Sequence, residues 1–319
     1  MEQPDYPRIV VLGTGAVGGL YGGRLAQAGY DVTFLARSDA DHLRTKGLRV
    51  ESPQGDFVLA NPQVASDVSQ LPPADLVIVS WKATANEALA PALQSTCTPT
   101  TSVLVLQNGW DVERQAAAVV GAERVLGGCC FLCSNKIGPG HIRHLDYGTI
   151  TIGEYAPTLA GQITPRLQQI VDWLRRAGID ARAVPDLRVA RWKKLMWNIP
   201  FNGLSVILQA DTRALMTDAD TRALVEQIMR EVLQLARACG SEVEESHIDK
   251  LLRDTAEMVP YASSMLLDYQ NRRPMEVEAI FGNPMRAGQA VGFSPPRIAT
   301  LYHQLKFLDR RQRSAVVPG

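Results

Sequence analysis

A short apolar run, Arg8-Ile9-Val10-Val11-Leu12, leads directly into Gly13-Thr14-Gly15-Ala16-Val17-Gly18. No other feature constrains the fold of this chain so tightly. Uninterrupted apolar runs of this length suit strands buried on both faces. Small and apolar residues continue in a helical stretch to about Ala28 and stop at Gly29, after which Asp31-Val32-Thr33-Phe34-Leu35 reads as a second strand. The result is a strand–turn–helix–strand unit with G-x-G-x-x-G in the turn, where a dinucleotide fingerprint needs it. Gly13 permits the tight turn, Gly15 admits a pyrophosphate to the backbone, and Gly18 lets the helix lie close to the strand. Thr14, Ala16 and Val17 complete the candidate cofactor loop, where the helix N-terminus offers N–H groups and positive dipole to phosphates.

The end of the second strand selects the cofactor. An acid there would hydrogen-bond the ribose 2′-OH of NAD. This chain instead has Leu35-Ala36-Arg37-Ser38, and an arginine suits a 2′-phosphate, so NADP(H) is the expected cofactor. The alternative is a surface arginine, with the acid supplied by Asp39 or Asp41.

Further strands are expected over 75–80, 102–106 and 125–132. Just past the first two stand Lys82 and Gln107-Asn108-Gly109. Ligands of doubly wound sheets lie beyond the carboxyl ends of the strands, so Lys82 and Asn108 are expected near the nicotinamide or the substrate. A solvated lysine and a turn-forming Asn-Gly are the competing readings. A helix over 165–177 and a short strand over 180–184 follow, and from Leu187 onward the pattern is helical. Leu224, Ile228, Val232 and Leu235 form one apolar stripe that stops at Gly240, and a last helix from Pro296 carries Ile298, Leu301 and Leu305. The expected architecture is an α/β Rossmann-type domain over 1–184 and an all-α domain over 185–319, with the active site in the cleft between them.

Within the second half, Lys194, Asn198 and Asn202 fall at i, i+4 and i+8 of one helix. A Lys/Asn/Asn stripe among Trp, Met, Phe, Leu and Ile wants a polar ligand or a buried network. Trp192 and Trp197 are expected to pack, and Pro200, which lacks a donor, to kink the helix.

Composition closes off other classes. With 319 residues, 46% hydrophobic and 21% charged, the chain can build two ordinary globular cores. Lys plus Arg (33) equals Asp plus Glu (33), so nothing global favours nucleic acid or anionic membrane. Arg310-Arg311-Gln312-Arg313 reads as a solvated helix end. Residues 1–5 lack a signal pattern, no stretch is uniformly apolar over a membrane span, and five cysteines make no disulfide framework. A cytoplasmic protein is expected. Cys130 and Cys133, like His141 and His144, are three apart on expected strands and should point to opposite faces, so no metal site is expected.

The fingerprint, Lys82, Gln107-Asn108-Gly109 and the Trp192/Lys194/Asn198/Asn202 series are followed by Ser263-Ser264-Met265-Leu266-Leu267-Asp268 and Glu276-Val277-Glu278. In that order and spacing they resemble the ketopantoate reductase family over essentially the whole chain. The resemblance implies NADPH-dependent reduction of the 2-keto group of ketopantoate to pantoate, towards pantothenate and coenzyme A, by a monomer or homodimer. By matching position, Lys194 would be the general acid and Glu276 would bind the substrate hydroxyl. Ser264, Asn198 and Asn202 would hold substrate oxygens, while Lys82 and Asn108 would lie near the cofactor, Asn108 also reaching the substrate. The chain departs from the family pattern at Trp110-Asp111, Pro200 and Pro274-Met275, all around the substrate. Reduction of another 2-keto acid and non-catalytic NADP sensing are the rival readings, and the retained Lys194 and Glu276 argue against the second.

Overall fold

The computed structural model describes residues 6–314, so the segment 1–5, on which the signal-pattern expectation falls, lies outside the described residues. Two compact units emerge. One comprises the described residues up to Gln107 with Val112–Leu187; the other comprises Asn108–Asp111 with the residues from Arg188 onward.

The first unit is built on one ten-stranded sheet. Its strands are β1 (Arg8–Leu12), β2 (Asp31–Leu35), β3 (Leu48–Glu51), β4 (Phe57–Leu59), β5 (Gln63–Ala65), β6 (Ala74–Val79), β7 (Cys97–Val105), β8 (Val125–Gly138), β9 (His141–Glu154) and β10 (Ala181–Ala183). The order runs β4-β3-β9-β8-β7-β6-β1-β2-β5, with β10 also on β9. From β5 through to β8 every pair is parallel. The strand order reverses between β1 and β6, the place where such sheets bind ligands.

Apolar runs made β1, β2, β6 and β7 legible in the sequence, because both faces of those strands are covered. The strand β3 carries alternating polar residues, and β4 and β5 are only three residues long, so none of them gave such a signal. The expected strand over 125–132 continues instead to Gly138 and folds back on β9 as a long antiparallel hairpin. Cys129, Cys130 and Cys133 are buried in β8. A register irregularity between Phe131 and Leu132 interrupts strict alternation there, so the opposite-face argument from spacing does not carry across it. His141 bonds Glu51, and the buried His144 bonds Ser52. Among the described residues no group of three or more His, Cys, Asp or Glu is placed to hold a metal.

The helix α1 (Ala16–Gln27) lies close on the sheet because its contact face is glycine. A Cβ on Gly18 would sit 2.1 Å from the Gly13 carbonyl oxygen and 2.2 Å from Ser80 Oγ. Around it, Leu20, Leu25, Phe34, Leu104 and Ile152 belong to one buried core.

The second unit is helical. Trp192, Met196, Phe201, Ile228, Val232, Phe281 and Leu305 belong to its core. The stripe read from sequence sits on the helix Ala219–Ala238, with Leu224 partly buried and the other three buried. The helix opens on Asp218, whose side chain accepts from the Thr221 N–H. Pro200 does not interrupt its helix, which runs unbroken over Leu187–Leu208. Proline costs ~3 kcal/mol in a helix interior, whereas each fully buried large apolar side chain returns ~1.5–3 kcal/mol. Met196, Ile199, Phe201 and Leu204 flank it, all buried, so packing outweighs the lost bond. Arg310, Arg311 and Arg313 are exposed on the last helix, Pro296–Ser314. No helix among the described residues is long and apolar enough to cross a membrane.

Candidate active site

The residues singled out by sequence fall into two sets, one in each unit. In the first, Gly13 has φ +104°, which side chains rarely tolerate, and its N–H donates to Leu35 O at 3.2 Å. Ser80 Oγ donates to the carbonyls of Leu12 and Gly13, each at 3.0 Å, so the end of β6 clamps the fingerprint turn. Gly15 caps α1 without any side-chain bond, and a Cβ placed on it would meet nothing within 4 Å. The loop therefore keeps open space in front of a helix N-terminus, the arrangement a pyrophosphate requires. Thr14 is buried, while Ala16 and Val17 are half-buried.

Arg37 and Ser38 are exposed past β2. Both acids that compete with Arg37 have partners of their own. Asp39 is buried and bonded to Lys136 and to the Gly140 N–H, and Asp41 pairs with Arg44. Lys82 is half-buried and opens the turn after β6. That turn is held by residues to which sequence reasoning gave no role. Gln107 Nε2 donates to Trp81 O at 3.0 Å and to Asn86 Oδ1 at 2.7 Å, and Trp81 Nε1 donates to the same Asn86 oxygen at 3.1 Å. Trp81 and Gln107 each stand directly past an expected strand end, whereas Asn86 carried no positional signal.

The second set gathers around the long helix. Asn198 and Asn202 are each 2% exposed, whereas Lys194 is half-buried with Nζ 5.7 Å from the Trp197 ring centre. The carboxamide oxygen of Asn202 is buried without a hydrogen-bond partner. Such an acceptor is costly unless a donor arrives. Asn198 Nδ2 approaches Asn108 Oδ1 at 3.5 Å. Behind Asn202, its carbonyl accepts from Ser205 Oγ, which pairs with Ser263 Oγ at 2.6 Å. Ser263 caps the helix Ser264–Gln270 and places the half-buried Ser264 at its first position.

Asn108-Gly109-Trp110 is fastened to a π-helical turn, Glu278–Gly282, which follows the buried Glu276. Trp110 N–H donates to Ala279 O at 2.9 Å, and Asn283 Nδ2 donates to Trp110 O at 2.8 Å. Gly109 is obligatory here: its φ is +122° and a Cβ would lie 2.5 Å from Ala279 O. Trp110 also stacks on Trp192, with ring centres 4.1 Å apart. Thus Trp110 is a packing residue of the helical unit, and the segment that presents Asn108 belongs to that unit. Trp192 is fully buried, and Trp197 donates to Thr255 Oγ1 at 3.1 Å, so both tryptophans pack as expected.

Chemically, the first set offers a phosphate cradle with an exposed arginine beyond it. The second offers an ammonium, two buried carboxamides, a hydroxyl and a buried carboxylate. Two family models match the chain: "Ketopantoate reductase PanE/ApbA" over residues 9–157 and its C-terminal counterpart over 186–309. A 2-dehydropantoate 2-reductase from Nostoc sp. is 49% identical over 96% of this chain and 97% of its own length. The crystal structure of 2-dehydropantoate 2-reductase from Geobacter metallireducens GS-15 superposes with TM-score 0.90 at 38% identity, covering 95% of this chain and 99% of that one. A ternary structure of D-mandelate dehydrogenase with NADH and anilino(oxo)acetate shares the fold at TM-score 0.85 and 21% identity, over 96% and 99% of the two chains.

Proposed function

The chain belongs to the ketopantoate reductase family and is a pyridine-nucleotide-dependent oxidoreductase that reduces ketopantoate to pantoate; we propose that NADPH is its reductant. We further assign the roles of Lys194, Glu276, Asn198, Asn202, Ser264 and Asn108 as follows. The observation that carries the assignment is the Lys194/Asn198/Asn202 face, whose last member holds a buried acceptor awaiting a donor.

When bound, the cofactor supplies hydride. The chain's own residues meet the consequences. As the ketone carbon is reduced, charge grows on its oxygen, and Lys194 donates a proton there. Asn198, Asn202 and Ser264 orient the substrate oxygens, and Glu276 accepts a hydrogen bond from the substrate hydroxyl. Asn108, held rigid by the Gly109–Ala279 contact, orients substrate or cofactor from the opposite end of the Asn198 contact. Gly13, Thr14, Gly15, Ala16, Val17 and Gly18 cradle the pyrophosphate, Lys82 lies towards the nicotinamide half, and Arg37 takes the 2′-phosphate. The buried strand cysteines, unlike a disulfide framework, suit a cytoplasmic setting.

Reductant oxidation across a panel of 2-keto acids tests the function. Ketopantoate is expected to give the highest kcat/KM. A higher value for another keto acid would reassign the substrate, and cofactor binding without turnover on any would make the chain a sensor.

Cofactor choice has its own test. A charge-assisted phosphate contact is worth about 1.5–3 kcal/mol, or roughly one to two decades. Arg37→Ala is therefore expected to raise the Kd for NADPH by about 10–100-fold and to leave NADH nearly unchanged. Retained NADPH preference in this variant would remove Arg37 from the role.

A further inference from the structure

An acid near the end of the second strand is what makes a dinucleotide site select the 2′-OH and reject a 2′-phosphate. This chain has such an acid, Asp39, two residues beyond Arg37. Its carboxylate behaves unusually. Asp39 occupies the N-cap position of the helix α2 (Ala40–Lys46), yet it makes no side-chain capping bond. Its Oδ2 instead lies 2.5 Å from Lys136 Nζ and accepts from the Gly140 N–H at 2.9 Å, while Ser38 Oγ donates to Oδ1 at 3.2 Å. Lys136 and Gly140 belong to the β8–β9 hairpin. The turn fits closely against α2, since a Cβ on Gly140 would lie 2.6 Å from the His42 ring.

We propose that Lys136 is a positioning residue for cofactor choice. It neutralises Asp39 and draws the carboxylate under the hairpin turn, leaving the exposed loop of Arg37 free of net negative charge and able to take a phosphorylated ribose. The argument is one of distance and charge. Two residues of chain span at most about 7 Å, within a physiological Debye length of about 8 Å, so an uncancelled Asp39 charge acts on a phosphate held by Arg37 without full screening. The carboxylate cannot escape by protonating. Burial opposes its ionisation, but the bonds from Lys136 and Gly140 outweigh burial and hold its pKa below the ordinary range. An ammonium beside it is then the means of cancelling the charge.

This inference rests on the NADPH reading, and a charge cycle separates the two. NADPH and NADH are titrated by nicotinamide fluorescence against the full chain and three variants, Lys136→Met, Asp39→Asn and the double substitution. Thermal midpoints are recorded in parallel. Lys136→Met is expected to weaken NADPH by about 3–10-fold while NADH changes by less than about twofold. Asp39→Asn keeps an acceptor for Gly140 and should bind NADPH at least as tightly as the unmodified chain. The double variant should recover NADPH affinity to within about twofold of Asp39→Asn. Loss that persists in the double variant would place Lys136 on the phosphate itself and overturn the proposal. Equal losses for both cofactors, or a lowered midpoint with no change in the NADPH/NADH ratio, would reduce the ion pair to a structural tie and also overturn it. An unmodified chain without NADPH preference would overturn the cofactor reading itself and this inference with it, whereas a preference untouched by Lys136→Met would overturn this inference alone.

Discussion

Lys194→Ala is expected to lower kcat by about 10²–10⁴-fold while leaving the Kd for the reduced cofactor close to its original value. Positioned proton transfer contributes that order, and it is needed mainly as charge develops on the ketone oxygen. Such a loss therefore appears in kcat and kcat/KM together, not in KM alone. The geometry supports Lys194 over its neighbour. Lys194 shares the helical face of Asn198 and Asn202, whereas Lys193 is rotated by about 100°. The charge of Lys193 instead faces His247 on the helix Ser246–Glu257. There, burial first and the Lys193 charge second lower the histidine pKa. Lys193→Ala should accordingly be mild in steady-state assays. A near-normal kcat in the Lys194 variant would sink the mechanism and leave that side chain a packing role over Trp197.

The parts of the molecule that were legible in the sequence share one physical property: their pattern is local. The fingerprint turn was legible because Gly13, Gly15 and Gly18 fall together in one strand–turn–helix unit, where Gly13 takes a positive φ and a Cβ on Gly18 would meet the Gly13 carbonyl oxygen. The Lys194/Asn198/Asn202 face is likewise fixed by helical period alone. Elements that depend on non-local pairing and lack an apolar run of their own were invisible. The half-polar strands β3 and β5 exist because β9 and β2 lie beside them. The extension of β8 past Leu132 passes through Ser134, Asn135 and Lys136, which an apolarity search reads as loop. The same limit hid the Asp39–Lys136 pair, whose members are remote in sequence. It also hid the attachment of Asn108-Gly109-Trp110 to Ala279 and Asn283. At Pro200 the local rule names the lost hydrogen bond, whereas the continuation of the helix across it over Leu187–Leu208 depends on the surrounding core.

Glu276 carries the other large effect, expressed in discrimination between substrates. The residue is 5% exposed and precedes the turn that holds Gly109 and Trp110. An anion beside an anionic keto acid is repulsive unless it accepts a hydrogen bond from a substrate hydroxyl. Where that bond is made, the residue favours hydroxylated keto acids over plain ones. Hydrogen bonds to charged groups are worth about 1.5–3 kcal/mol, or roughly one to two decades in kcat/KM. Glu276→Ala is expected to lower kcat/KM for ketopantoate by about 10–100-fold. The loss for the analogue lacking the hydroxyl should be much smaller, so the ratio of the two collapses. Cofactor affinity should not move, because the fingerprint and Arg37 are untouched. Glu276→Gln retains an oxygen acceptor without the charge and should fall between the two. Removing a buried carboxylate also disturbs packing, but that disturbance lowers both substrates alike, so only the ratio reports the hydroxyl contact. Equal losses on both substrates would make Glu276 a structural support for the turn, and the hydroxyl would then need another acceptor, for which the unpartnered oxygen of Asn202 stands next.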